Sequence, residues 1–256
     1  MDSFRHRCTA GTAVIGTFAA IPHPAAVEVV AAAGPDFICI DWEHSQVGRE
    51  RLEDMVRAAD LHAVPAIVRV PGHLPDSIAA ALDAGAKGVL VPRVSNAAQA
   101  RAAVNATRYP PLGQRGVGPG RAAGYGYRIP DYLAKANDAL LLAVQVETAE
   151  GLANIAEIAA VEGIDVIFVG PGDLSVSIGA LGPDHKDRLD AAIIAIIDAS
   201  VRAGRTAGIF RPTPTDIARW IDVGTRFMII ASDAMFLAAA VEETMTRARQ
   251  TISETG

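Results

Sequence analysis

Two carboxylates stand out for the chemistry they could share: Glu147 in Gln145-Val146-Glu147-Thr148, and Asp173 in Gly170-Pro171-Gly172-Asp173-Leu174-Ser175. One helix and one strand separate them, so they fall on adjacent strand tips about 4.8 Å apart. Oxygen ligands of this kind suit a hard divalent cation, Mg²⁺ or Mn²⁺, with Co²⁺ also compatible and waters completing an octahedron. Singly, either carboxylate serves as well to pair with an arginine or to cap a helix, Asp173 at the turn of Leu174. Side by side at one rim they favour the ion. His44 follows Asp41 by three residues, a spacing at which a carboxylate can orient an imidazole and raise its basicity for proton transfer; a structural histidine is the alternative. Arg69, in Val68-Arg69-Val70-Pro71, can neutralise oxyanion charge with Pro71 stiffening the loop behind it, or it can form a structural salt bridge to Asp41. The lysines bear on the choice of electrophile. Lys87, Lys135 and Lys186 all lie away from the C-terminal end of a strand, which disfavours an imine and points back to a metal.

The elements that must position these residues are short apolar runs alternating with helical periodicity. Strands are predicted at 13–18, 37–41, 66–69, 88–91, 140–147, 165–169, 206–210 and 226–230. Helices are predicted at 24–33, 49–61, 75–84, 96–107, 149–159, 185–203, 215–223 and 233–252, with glycines just past several of their ends. Apolar strands alternating with helices imply a parallel sheet covered by helices. Eight such units in roughly 250 residues match an α/β fold of the (β/α)8 TIM type, one domain spanning 1–256. Asp41, His44, Arg69, Glu147 and Asp173 then all follow their strands and share the C-terminal face, where such barrels do chemistry.

The connection over 108–137 is long and rich in Gly, Pro, Tyr and Arg, and the expectation is a lid over the barrel mouth. Its Gly116-Val117-Gly118-Pro119-Gly120 stretch could cradle phosphate through backbone amides, although it follows no strand. Arg5 and Arg7 before the mild run 13–20 weakly imitate a signal peptide, but that run is needed as a strand. A net charge of -6 with few basic clusters argues against nucleic-acid and membrane partners and leaves small molecules. Two cysteines, Cys8 and Cys39, exclude a disulfide framework and make a reducing cytoplasm the default setting.

Six strings in order resemble the HpcH/HpaI aldolases, the class II pyruvate aldolases. They are Asp41-Trp42-Glu43-His44-Ser45, Val68 to Pro71, Ala84 to Pro92, Arg108 to Gly118, Gln145 to Thr148 and Gly170 to Ser175, and they span nearly the whole chain. The resemblance implies the phosphoenolpyruvate/pyruvate variant of the barrel, a hexamer built as a trimer of dimers, and a last helix exchanged between subunits. It implies a metal on Glu147 and Asp173, proton handling by His44 with Asp41, and Arg69 on the pyruvyl oxygens. The amides of Gly172 and Asp173 would take the substrate carboxylate, Gln145 would lie beside the metal, and Asp83 would reach into a neighbouring subunit's site. Phe18 and Phe210 would border the aldehyde pocket. Members acting on dicarboxylate products often carry tryptophan at the first of these positions, and leucine is common at the second.

These expectations combine into a metal-dependent carbon-carbon lyase working on pyruvate and an aldehyde. A citrate lyase or malyl-coenzyme A type lyase shares the acidic metal site but needs a thioester surface, for which only Arg108, Arg115 and Arg121 are available. A catalytically silent 2-oxoacid-binding barrel would lack a use for both Asp41 and His44.

Overall fold

A computed structural model describes residues 3–255. Its strands are β1 (Val14–Ala19), β2 (Phe37–Asp41), β3 (Ala66–Arg69), β4 (Gly88–Val91), β5 (Leu141–Val146), β6 (Val166–Val169), β7 (Thr206–Arg211) and β8 (Thr225–Ser232). All pair in parallel, in sequence order, and β8 closes on β1 to complete a barrel. The helices are α1 (Phe4–Thr9), α2 (Pro24–Ala32), α3 (Arg49–Leu61), α4 (Pro75–Asp83), α5 (Ala97–Thr107) and α6 (Ile129–Ala139), followed by α7 (Ala149–Ala153), α8 (Ile155–Ala159), α9 (Pro171–Ser177), α10 (Lys186–Arg202), α11 (Ile217–Val223) and α12 (Asp233–Thr255).

Side chains alternate across a strand, and that parity decides what faces inward. Phe37 and Cys39 of β2, Ile67 of β3, Leu141 and Ala143 of β5, Phe168 of β6 and Phe227 and Ile229 of β8 fill the interior. Their neighbours Ile38, Ile40, Val68, Leu142 and Val144 pack outward against the helices. Continuing the inward parity one step towards the C-terminal ends brings Asp41, Arg69, Gln145 and Glu147 to the top of the barrel. They are only 5%, 9%, 2% and 2% exposed. A buried ion pair is at best about neutral for stability against well-packed apolar residues, so a polar layer here calls for a chemical reason.

Besides the short α9, which no predicted helix covers, three elements differ from the sequence expectation. Helix α1 was not foreseen: capped by Ser3, it buries Phe4 and Cys8 in the N-terminal opening, with the Phe4 ring 5.5 Å from Phe37. Arg5 there pairs with Asp165 at 2.8 Å, so this arginine has a structural task in the folded barrel. The helix expected over 149–159 breaks at Asn154, whose side-chain amide donates instead to the Ser95 carbonyl.

The third difference concerns 108–137, which does not cover this chain's own barrel mouth. Arg108 donates to the Leu140 and Gly163 carbonyls and to Asp165, all just ahead of β5 and β6, while Arg115 pairs with Asp83 at the end of α4. A connection running from a helix into the next strand must arrive at the N-terminal end of the barrel, opposite the βα loops. The same segment contains α6, and its glycines have a packing reason. A Cβ at Gly120 would meet Asp83 at 2.9 Å, and one at Gly118 would lie 3.2 Å from the Asp83 carboxylate. Phosphate would be repelled by that carboxylate, so the phosphate cradle that 116–120 could have formed finds no support.

Candidate active site

At the C-terminal end of the strands lies a cavity of about 250 Å³. Asp41, Arg69, Gln145, Glu147, Gly172, Asp173, Phe18 and Phe210 all line it, joined by Gly170, Ser232 and Met235 among others. The sequence reading omitted those last three.

Asp41 and Arg69 are Cα partners across β2 and β3, and the register delivers a two-point ion pair: Arg69 Nε to Asp41 Oδ1 at 3.0 Å and Nη2 to Oδ2 at 2.7 Å. The guanidinium carbon sits 4.3 Å from the centroid of the Phe18 ring, which in turn is 5.7 Å from that of Phe210. Arg69 is thus held flat and rigid at the cavity wall by a carboxylate and an aromatic face.

Glu147 follows β5. Its Oε1 accepts from the Arg93 backbone N–H at 2.9 Å, and its Oε2 accepts from Gln145. Arg93 adopts a left-handed backbone, φ 55°, a conformation costing a non-glycine residue roughly 1–3 kcal/mol and typical of sites where geometry is imposed. Burial pushes the Glu147 carboxyl up to about 7, with further elevation from Asp173 and Glu43 and a lowering by the bonds from Gln145 and Arg93. Gly170 permits this arrangement, since a Cβ there would collide with Glu147 Oε2 and Gln145 Nε2. Asp173 stands in the first turn of α9 without capping it. Among the described residues neither Glu147 nor Asp173 forms an ion pair, so both alternatives raised from sequence, arginine partner and helix cap, fail. Gly172 has open space where a side chain would lie.

The expected side-chain dyad of Asp41 and His44 is not formed within this chain. Both Asp41 oxygens are engaged by Arg69, and the contact with His44 is to its backbone N–H, 3.1 Å from Oδ1. The imidazole is more than half exposed and lies 3.5 Å from Glu43. Glu43 was overlooked: its Oε2 is buried and lacks a hydrogen-bond partner, 3.5 Å from Arg69 Nε. Burial pushes its carboxyl above the usual range, with Arg69 and His44 pulling the other way. The only available signal was its place between Asp41 and His44. Asp83 does not line this cavity; it ends α4, paired with Arg115.

The family model for HpcH/HpaI aldolase/citrate lyase matches residues 14–240. The chain belongs to this family. It is a carbon-carbon lyase. Among curated HpcH/HpaI relatives, a 4-hydroxy-2-oxovalerate aldolase of Novosphingobium aromaticivorans is 37% identical over 100% of the chain and 98% of its own length. A 4-hydroxy-2-oxo-heptane-1,7-dioate aldolase of Salmonella arizonae is 38% identical over 96% of the chain and 94% of its own. A solved HpcH/HpaI aldolase/citrate lyase family protein of Burkholderia cenocepacia superposes with a TM-score of 0.90 at 33% identity, covering 96% of this chain and 98% of that one. None of the lysines of this HpcH/HpaI barrel lines the cavity, so an amine nucleophile is missing from the site.

Proposed function

We propose that the chain is a metal-dependent aldolase that forms and cleaves 4-hydroxy-2-oxoacids from pyruvate and an aldehyde. The observation carrying this reading is a pair of unpaired carboxylates, Glu147 and Asp173, on one cavity with a rigid buried arginine and no lysine. The donor set fits a hard cation. Both ligands offer carboxylate oxygens, the donors a hard divalent cation prefers, with waters completing its shell. The elevated Glu147 carboxyl marks a buried group short of positive charge. Glu147 and Asp173 would hold Mg²⁺ or Mn²⁺, which supplies Lewis acidity that eases removal of a proton from C3 of pyruvate.

The protein's own groups do the remaining work. Arg69 has Nε and Nη2 on Asp41, leaving Nη1 for the ketone oxygen where negative charge collects. The backbone N–H groups of Gly172 and Asp173, in the first turn of α9, lack helical acceptors and suit the substrate carboxylate. Gln145 keeps a buried Oε1 without a partner beside them. Phe18 and Phe210 flank the aldehyde. His44, at the exposed edge, gives a proton to the new hydroxyl oxygen in synthesis and takes it in cleavage, with Asp83 of a neighbouring copy reaching in beside it.

The thioester-using alternative loses support, because Arg108, Arg115 and Arg121 are engaged by Asp165, Asp83 and Asp60. Among the described residues no helix is long and apolar enough to cross a membrane, and the two thiols, Cys8 and Cys39, are free and buried, which supports a reducing cytoplasm. The assembly we favour is a hexamer of exchanged-helix dimers.

The test is direct: incubate the protein and Mg²⁺ or Mn²⁺ with a 4-hydroxy-2-oxoacid and follow pyruvate, with and without chelator. Metal-dependent release is expected. No pyruvate would refute the aldolase, release that survives the chelator would refute the metal, and a borohydride-trapped pyruvate adduct on a lysine would reinstate the imine.

A further inference from the structure

A second cavity, of about 750 Å³, opens at the N-terminal end of the barrel. Lys87 and Leu140 on its wall immediately precede β4 and β5, whereas the catalytic cavity follows the strand ends. Strands of this length rise about 3.3 Å per residue, so roughly 15 Å of barrel separates the two. Its volume is in the range of about 300–1,000 Å³ usual for small-molecule sites.

The lining is basic and aromatic. Lys87, Arg121, Arg128 and Lys135 contribute four cations against one carboxylate, Asp60. Asp60 is already committed, 2.7 Å from Arg121 and 3.6 Å from Lys87. The side chains of Arg128 and Lys135 have no hydrogen bond or ion pair among the described residues, which leaves two cations for an anion rather than two structural salt bridges. Glycines make room for the guanidinium groups: a Cβ on Gly85 would collide with Arg121 Nη1, and one on Gly124 would lie 2.8 Å from Arg128 Nε.

The aromatic component is equally specific. Tyr125 occupies a left-handed backbone position, φ 56°, between Gly124 and Gly126, and its hydroxyl is anchored by Arg57 and Glu53. Tyr127, two residues on, is 92% exposed at the same cavity. A strained, pinned turn that presents a bare aromatic ring beside unpaired cations suits a ligand with both a flat face and a compact anionic group. Guanidinium geometry matches phosphate through paired N–H donors.

We propose that this cavity binds a ring-bearing organic phosphate, with the phosphate on Arg128 and Lys135 and the ring on Tyr127. Nothing in the aldolase chemistry uses these residues, and within one chain the site lies at the opposite end of the barrel from the catalytic cavity.

Adenosine 5′-monophosphate is a suitable probe, with adenosine and inorganic phosphate measured separately by calorimetry on the intact protein. Saturable binding of the nucleotide, with each fragment weaker by roughly tenfold or more, is expected. Arg128→Glu with Lys135→Glu should weaken it by at least about tenfold, the weight of a charge-assisted contact, and Tyr127→Ala should weaken it independently, circular dichroism showing both variants folded. Three results would overturn the proposal: no saturable nucleotide binding, binding that survives the charge reversals in folded protein, or binding displaced by pyruvate, which would place the nucleotide in the catalytic cavity.

Discussion

Glu147 is where burial and charge conflict most openly, and the conflict makes a pH prediction. Its carboxyl stands near 7 in the folded chain against an ordinary 4.5. Between those values the folded, metal-free protein keeps a proton that the unfolded chain gives up. Its stability therefore falls as pH rises through that window, by at most about 1.4 kcal/mol per pH unit. A cation needs the carboxylate, so metal binding should release a proton below about pH 7 and tighten as pH climbs towards it. Calorimetric titration with Mn²⁺ in buffers of different ionisation heat measures that proton, and Glu147→Gln should remove both the proton release and most of the affinity. Proton release unchanged by this substitution would assign the titration to another group.

The elements of the barrel divide labour between its two ends, and the polar groups at each end can be told apart by what they contact. Asp165, just ahead of β6, is 5% exposed and fully occupied: it accepts from Arg5 at 2.8 Å, Arg108 at 2.9 Å and the Leu142 N–H at 2.9 Å. Asp165→Ala would strand the buried Arg108 without its counter-charge, costing about 3–5 kcal/mol in urea unfolding. Because this network is at the N-terminal end, the rate of pyruvate release per folded molecule should hold. A fall in that rate at constant folded fraction would show that the two ends are coupled. Glu147 and Asp173 at the other end have no cationic partner where Asp165 has two, the physical difference expected between groups proposed to do chemistry and one that holds the fold.

At the scale of the whole molecule, α12 does not finish its own barrel. Over 234–254 its residues are almost all exposed, including Met235, Phe236, Leu237, Val241, Met245 and Ile252. Between this helix and α2 runs an apolar cavity of about 820 Å³ bordered by Val29, Ile21 and Phe236. So much bare apolar surface is unusual for a monomer and supports exchange of α12 with a second copy. Light scattering should return the mass of a hexamer, and a chain ending at residue 239 should fall apart into smaller species. A monomeric full-length protein would refute the exchange.

The residues themselves were enough to order the fold. β2, β3 and β4 appear within the bounds their apolar runs predicted, because a strand buried on both faces leaves a continuous signal and glycine or proline marks its ends. Strand parity and the rule that βα loops share one face then placed Asp41, Arg69, Glu147 and Asp173 together before any coordinates. What the chain could not announce was who touches whom. Whether Asp41 would serve His44 or Arg69 depended on the register of β2 against β3, which local sequence does not encode. The end of the barrel reached by 108–137 follows from its coming after a helix, but its hold on Asp83, and the cavity it builds with Lys87, depend on side chains brought from distant segments. The two carboxylates began as groups that could equally have been caps or ion-pair partners, and only the folded barrel, by giving neither of them a cationic partner or a capping bond, supports the proposal that both hold a metal.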